Sequence, residues 1–222
     1  MMKERYFTTQ SLEQQARELY QQAADLPQKR VISYQPQHSA LLVLDMQAYF
    51  LDASSHAYIP SAEAILEGIV QLIKAYSNHE RPIIFSQHIN TTSNAGMMST
   101  WWKDLISTQN PLHQIIPQIN PSLGTLIQKS QYDAFYQTQL DELLHACGVT
   151  QVVICGVMTH LCCETTARSA FMHGFEVFFP VEGTATYNLA YHRASLLNLA
   201  HGFANLVFMK DLLAAIRGEN ED

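Results

Sequence analysis

The chain has 222 residues and a formal net charge of −7, from 13 Lys and Arg against 20 Asp and Glu. That length suits one domain whose core buries most of its apolar surface. A hydrophobic share of 47% with 15% charged residues excludes a disordered chain, the negative charge would repel a nucleic-acid backbone, and the apolar runs fall far short of the ~20 residues that span a bilayer.

The opening Met-Met-Lys-Glu-Arg continues polar, without the apolar stretch of a secretion signal, so a cytoplasmic location is expected. Residues 9–25 place Leu12, Ala16, Leu19, Tyr20 and Ala23 at helical spacing, and 1–38 are expected to form an N-terminal helical extension ahead of a main domain over 39–222. Ala40–Met46 reads as a buried strand. Ser61–Ser77 is helical, with Ser61 at the N-cap position and Ile65, Ile69, Leu72, Ile73 and Tyr76 on one face. Strands follow at Pro82–Gln87 and Thr125–Gln128, and a helix over Asp133–Cys147 closes at Gly148. Gln151–Cys155 is a strand, Cys162–His173 a helix, Phe175–Val181 a strand, Asn188–His201 a helix and Asn205–Phe208 a strand. Leu212–Ile216 is a last short helix. Strands apolar on both faces, alternating with helices, imply a doubly wound α/β domain: three layers, α/β/α, around a mainly parallel six-stranded sheet. The segment 88–124 holds Trp101, Trp102 and three prolines but no long periodic run; a connection of that length is usually a lid or a pocket wall.

Ligands of an open parallel sheet bind beyond the carboxyl ends of its strands. Asp45 closes the first strand there, Gln87 and His88 the second, and Lys129 the third. The fourth leads through a turn, Val157–Leu161, to Cys162 at the start of a helix. Each has an ordinary explanation taken alone: a turn aspartate, a solvated lysine, a packed cysteine. Together they form an activated-nucleophile set, with a carboxylate to accept the thiol proton and an ammonium and a helix dipole to lower the thiol pKa. Backbone N–H groups at the helix start and in the preceding turn suit an oxyanion. The four cysteines, Cys147, Cys155, Cys162 and Cys163, suggest neither disulfides nor a structural zinc site. Spacing alone does not separate Cys162 from Cys163.

Three stretches, Leu42–Phe50 (LVLDMQAYF), Lys129–Phe135 (KSQYDAF) and Gly156–Ala170 (GVMTHLCCETTARSA), resemble the isochorismatase-like hydrolase superfamily, which includes isochorismatases, nicotinamidases and carbamoylsarcosine amidohydrolases. The resemblance spans roughly 39–210. It implies Asp45, Lys129 and Cys162 as the catalytic triad, so that Cys162 rather than Cys163 is the nucleophile. It also implies a cis peptide at Val157–Met158, in a turn whose N–H groups, with that of Cys162, hold an oxyanion. Isochorismatases of this superfamily typically carry glycine at the position of Cys162, because vinyl-ether cleavage needs no nucleophile. The cysteine therefore favours cleavage of a small amide, ureide or related C–N bond through a thioester. The alternative is isochorismate hydrolysis with Asp45 as general acid. Nicotinamidases usually add a metal bound by an Asp-x-His pair; Asp52 and His56 have the wrong spacing, so no metal and no cofactor are expected. A metal-dependent hydrolase and a non-catalytic binding protein are further rivals. Phe50, Gln87, Trp101 and Tyr132 are expected to line the substrate pocket. The partner is a small molecule rather than nucleic acid or membrane, and the resemblance implies a homodimer or homotetramer.

Overall fold

The computed structural model describes residues 2–24 and 32–218. In chain order the elements are α1 (Leu12–Ala24), β1 (Ser39–Leu44), α2 (Ala48–Leu51), α3 (Ala62–Asn78), β2 (Ile83–His88), α4 (Met98–Trp101), β3 (Thr125–Lys129) and α5 (Leu140–Ala146). They continue with β4 (Gln151–Val157), α6 (Glu164–Met172), β5 (Glu176–Pro180), β6 (Thr184–Ala185), α7 (Leu189–Gly202), β7 (Ala204–Val207) and α8 (Met209–Arg217). The strands are all parallel, in the order β3-β2-β1-β4-β5-β7, with β6 adding to β4. The six expected strands are present; β6, only two residues long, is too short to show as an apolar run. Helices α3 and α8 pack together, as do α6 and α7, with α1 against α7. Right-handed crossovers place these two groups on opposite faces of the sheet, giving three layers.

Several boundaries move for local reasons. Thr8 holds back the first helix, its hydroxyl accepting from Ser11 N–H at 3.1 Å, so α1 begins at Leu12 rather than residue 9; Asp25, its expected last residue, lies outside the described residues. The helix expected from Asp133 starts only at Leu140. The Asp133 carboxylate accepts from Phe135 N–H at 2.9 Å, and Gln137 takes a left-handed φ of 54°. Both turn the backbone away from a helical path. The chain start belongs to the body of the protein: Tyr6, Phe7, Ala16 and Leu19 join the same buried core as the strands.

Two contacts set up the site. The strand order reverses between β1 and β4, where Leu44 pairs with Gly156 on one side and Ser86 on the other; such a switch point leaves a crevice beyond the strand ends. Gly156 sits at φ 116°, and a Cβ there would lie 2.1 Å from the Leu44 carbonyl oxygen, so only glycine lets β4 approach β1 at that point. Among the described residues no helix is long and apolar enough to cross a membrane.

Candidate active site

Immediately after β1, Asp45 adopts a left-handed φ of 52°, a conformation that aspartate tolerates better than most residues. Its N–H donates to the Ser86 carbonyl oxygen at 3.3 Å, and its Oδ1 accepts from Ser86 Oγ at 2.7 Å. Oδ2 faces Lys129 Nζ at 2.8 Å, with both side chains fully buried. That oxygen takes no well-aligned hydrogen bond and is the one left to receive a proton. Lys129, the last residue of β3, also donates to the carbonyls of Gln131 at 2.9 Å and Tyr132 at 3.2 Å. Its remaining contact is Cys162 Sγ at 3.2 Å. Neither charge is tolerable in this interior alone; each is the other's counter-ion.

Cys162 does not stand at the start of an ordinary helix. It lies in a π-helical turn, Thr159–Cys163, that precedes α6, and the peptide Val157–Met158 before it is cis, as the resemblance implied. Cys163, one residue on, is fully buried in the core, while Cys162 lines a cavity.

The protonation states follow from burial and charge. Burial works to raise the Asp45 pKa, but Lys129 above all, with His88 and Cys162, outweighs it and holds the carboxyl below its usual range. Burial likewise opposes charge on Lys129, and Asp45 and Cys162 overcome it to raise that pKa. For Cys162 burial dominates: the thiol is pushed up to about 12, although Lys129 pulls the other way. The expected low thiol pKa is therefore corrected. A helix dipole and a lysine both lower a thiol pKa, but the cost of placing a thiolate in this interior exceeds them. The resting arrangement is carboxylate, ammonium and neutral thiol.

Above the thiol a cavity opens toward solvent. Its wall is largely aromatic and aliphatic: Tyr49 and Phe50 from α2, Trp102 and Leu105–Ile106 from the 89–124 connection, then Tyr132, Leu161 and Tyr187. No lysine or arginine appears among the described lining residues. Trp102 Nε1–H donates to Tyr132 Oη at 2.7 Å, tying the connection to the loop after β3.

Of the four expected pocket residues, Phe50 and Tyr132 line the cavity, whereas Gln87 and Trp101 do not. Gln87 points to the other side of β2 and donates to the His113 carbonyl at 2.9 Å. Trp101 is 73% exposed; its neighbour Trp102 turns inward instead. His88, named above only as a strand-end residue, also lines the cavity, as do Asn90, His56 and Asp104, none of which is among the expected pocket residues. Strand parity would have found the first. Ser86 touches Asp45, so His88, two residues on, shares its face and Gln87 does not.

Asp52 and His56, whose spacing does not match a metal-binding pair, are engaged with other partners. Asp52 Oδ1 accepts from Ser54 N–H and Oγ–H at 2.8 and 2.6 Å, while His56 contacts Asp104 and Tyr49 at 3.3 Å each. Among the described residues, Asp45, His88 and Cys162 do bring ligand-type atoms within 4.8 Å of one another. The Lys129 ammonium already lies against two of the three, where a cation would have to sit, so this set does not fit a resident metal.

The sequence model of the isochorismatase domain matches residues 39–211. The chain is 38% identical to nicotinamidase 3 of Arabidopsis thaliana over 185 residues, covering 81% of this chain and 89% of that relative. It is 27% identical to enterobactin synthase component B of Escherichia coli over 195 residues, covering 86% and 68% respectively. Among solved structures it is similar to a cysteine hydrolase from Pseudomonas syringae pv. phaseolicola, with a TM-score of 0.82 at 25% identity, covering 87% of this chain and 99% of the other.

Proposed function

The chain belongs to the isochorismatase family, and on that premise we propose that it is a cysteine amidohydrolase acting on a small, neutral aromatic carboxamide, for which nicotinamide is the model substrate. The observation that carries this reading is the Cys162 thiol, held between a buried carboxylate and a buried ammonium at the floor of an aromatic cavity. The nicotinamidase relative supports the choice of amide.

As Sγ attacks the carbonyl carbon, its proton passes to Asp45, and Lys129 stabilises the sulfur as it gives up that proton. Because the resting thiol is neutral, deprotonation belongs to the attack itself and does not precede it. The oxyanion is received by backbone N–H groups of the turn that carries Met158 and Cys162, both of which line the cavity. Asp45 then protonates the amide nitrogen, the C–N bond breaks and ammonia leaves a thioester on Cys162. Asp45 next removes a proton from water, the resulting hydroxide attacks the thioester, the C–S bond breaks and the proton returns to sulfur. The products are a carboxylic acid and ammonia.

Isochorismate hydrolysis is the second reading, favoured by the enterobactin synthase relative. Two carboxylates on that substrate would meet no lysine or arginine in the described wall, and Lys129 is already committed to Asp45. A screen of small amides, ureides and isochorismate with wild type and Cys162→Ala separates the two. Amide turnover is expected only with the thiol, falling at least about 10³-fold without it. Isochorismate turnover that survives Cys162→Ala would overturn the amide reading.

A further inference from the structure

His88 ends β2 beside Lys129, with which it pairs across the sheet. It is 6% exposed and lines the cavity next to Cys162. The bonds around it fix where its proton sits. Ser130 offers Asn90 a backbone carbonyl, which only accepts, so the contact at 2.9 Å orients the Asn90 amide with Nδ2 toward it. Asn90 Oδ1 therefore faces His88 Nε2 at 2.8 Å, and Nε2 carries the hydrogen. The other ring nitrogen, Nδ1, is then a bare lone pair, and no partner engages it among the described residues. A ring nitrogen of His88 lies within 4.8 Å of both Cys162 Sγ and an Asp45 carboxylate oxygen. Burial pushes the His88 pKa down to about 4, with Lys129 adding to the effect, so the ring stays neutral near neutral pH.

Resting on the amide reading above, we propose that His88 is a specificity-determining residue whose Nδ1 accepts a hydrogen bond from an N–H of the scissile carboxamide, so that the site favours primary amides over esters of the same acid. An unpaired acceptor at a cavity floor is a demand for a donor: a substrate that lacks one leaves it unsatisfied. A primary amide brings two N–H groups. An ester presents only an oxygen lone pair there, which faces the His88 lone pair unfavourably. The contact also strengthens along the reaction. The amide nitrogen becomes a better donor as it accepts a proton from Asp45 and gains positive charge, so the interaction stabilises the transition state more than the bound substrate. No proton is transferred to His88; it orients the leaving nitrogen.

The matched pair nicotinamide and methyl nicotinate tests this, because both give the same thioester on Cys162. In His88→Phe the amide-to-ester ratio of kcat/KM is expected to fall roughly 10–100-fold, and His88→Gln, which restores a carbonyl acceptor, is expected to recover part of it. A merely structural role would lower both substrates together and leave the ratio unchanged, and that result would overturn the proposal. Should the variants fail to fold, the wild-type protein decides: nitrogen-15 spectra of the His88 ring should show the Nε2–H form, and an Nδ1–H form would refute it. If wild type forms no Cys162 thioester from either compound, the amide reading fails and this inference with it. Thioester from both with an unmoved ratio fails this inference alone.

Discussion

The floor and the wall of the cavity are built in different ways. The floor comes from the sheet: Asp45, Ser86, His88 and Lys129 stand at or just beyond the ends of β1, β2 and β3, and Cys162 follows β4. Their backbones are fixed by ladder hydrogen bonds, and their side chains are tied to one another by an ion pair and short polar contacts. Much of the wall comes from the 89–124 connection, held by scattered single contacts rather than by a ladder, among them the antiparallel bridge between Gln47 and Ile115, the Gln47 and Gln87 contacts to the His113 carbonyl, the Gln131 amide on the Asn94 and Ala95 carbonyls, the His56–Asp104 contact and the Trp102–Tyr132 hydrogen bond. A reaction needs charges held to within fractions of an ångström, which a sheet provides. Selectivity needs a shape that can change without unfolding the protein, which a surface connection provides.

If that division is right, changes in the floor cost stability and chemistry together, whereas changes in the wall move substrate choice alone. The largest effect is expected for Lys129→Met. It leaves the Asp45 carboxylate buried without its counter-ion, at a cost of about 3–5 kcal/mol in urea-induced unfolding, and abolishes amide turnover. A stable, active Lys129→Met protein would break the comparison at its base. In the wall, Trp102→Ala is expected to raise the KM for an aromatic amide up to about tenfold, one aromatic contact being worth about 0.5–1.5 kcal/mol, while the unfolding midpoint shifts little. An equal loss of stability would show the wall to be part of the scaffold after all.

Thiol chemistry sharpens the same contrast. With the Cys162 pKa at about 12, iodoacetamide at neutral pH is expected to modify exposed Cys147 first and Cys162 slowly, with Cys162 labelling rising steadily toward alkaline pH. Peptide mapping of the alkylated protein reads this; rapid selective labelling of Cys162 at pH 7 would mean a preformed thiolate. Acid stability gives a smaller, graded effect. His88, His160 and His192 are pushed by burial to about 4, below the ~6.5 of an unfolded chain. Their contribution is therefore fully present above about pH 6.5 and lost as pH falls through about 4. Urea midpoints should decline across that window, and a flat profile there would show that the three rings titrate normally. The smallest change is expected at Trp101→Ala, within about 0.5 kcal/mol and with unchanged kinetics, because that ring faces solvent.

How much could be read from the sequence follows the same line. Short apolar runs ending in Asp45 and Lys129 carry both the strand and its terminal charge in a few adjacent letters, so the floor is legible. The motif around Cys162 distinguishes it from Cys163, which spacing could not do. The wall is harder because its side chains are directed by turns. Trp101 is the last residue of α4 and Trp102 follows it in extended backbone, at φ −105° and ψ 153°, so the two face different ways, and no periodicity marks which one turns inward. The direction of the Cys162 pKa is hidden for a related reason: charge is visible in a sequence, but the depth of burial that outweighs it is a property of the packed fold.

The central claim is that the floor performs nucleophilic acyl transfer through sulfur. Rapid acid quench of wild type with excess nicotinamide, followed by intact-protein and peptide mass spectrometry, tests it most directly. A nicotinoyl adduct is expected on Cys162, forming within a turnover and disappearing as substrate is exhausted, with neither adduct nor turnover in Cys162→Ala. Amide hydrolysis by Cys162→Ala at the wild-type rate would contradict it.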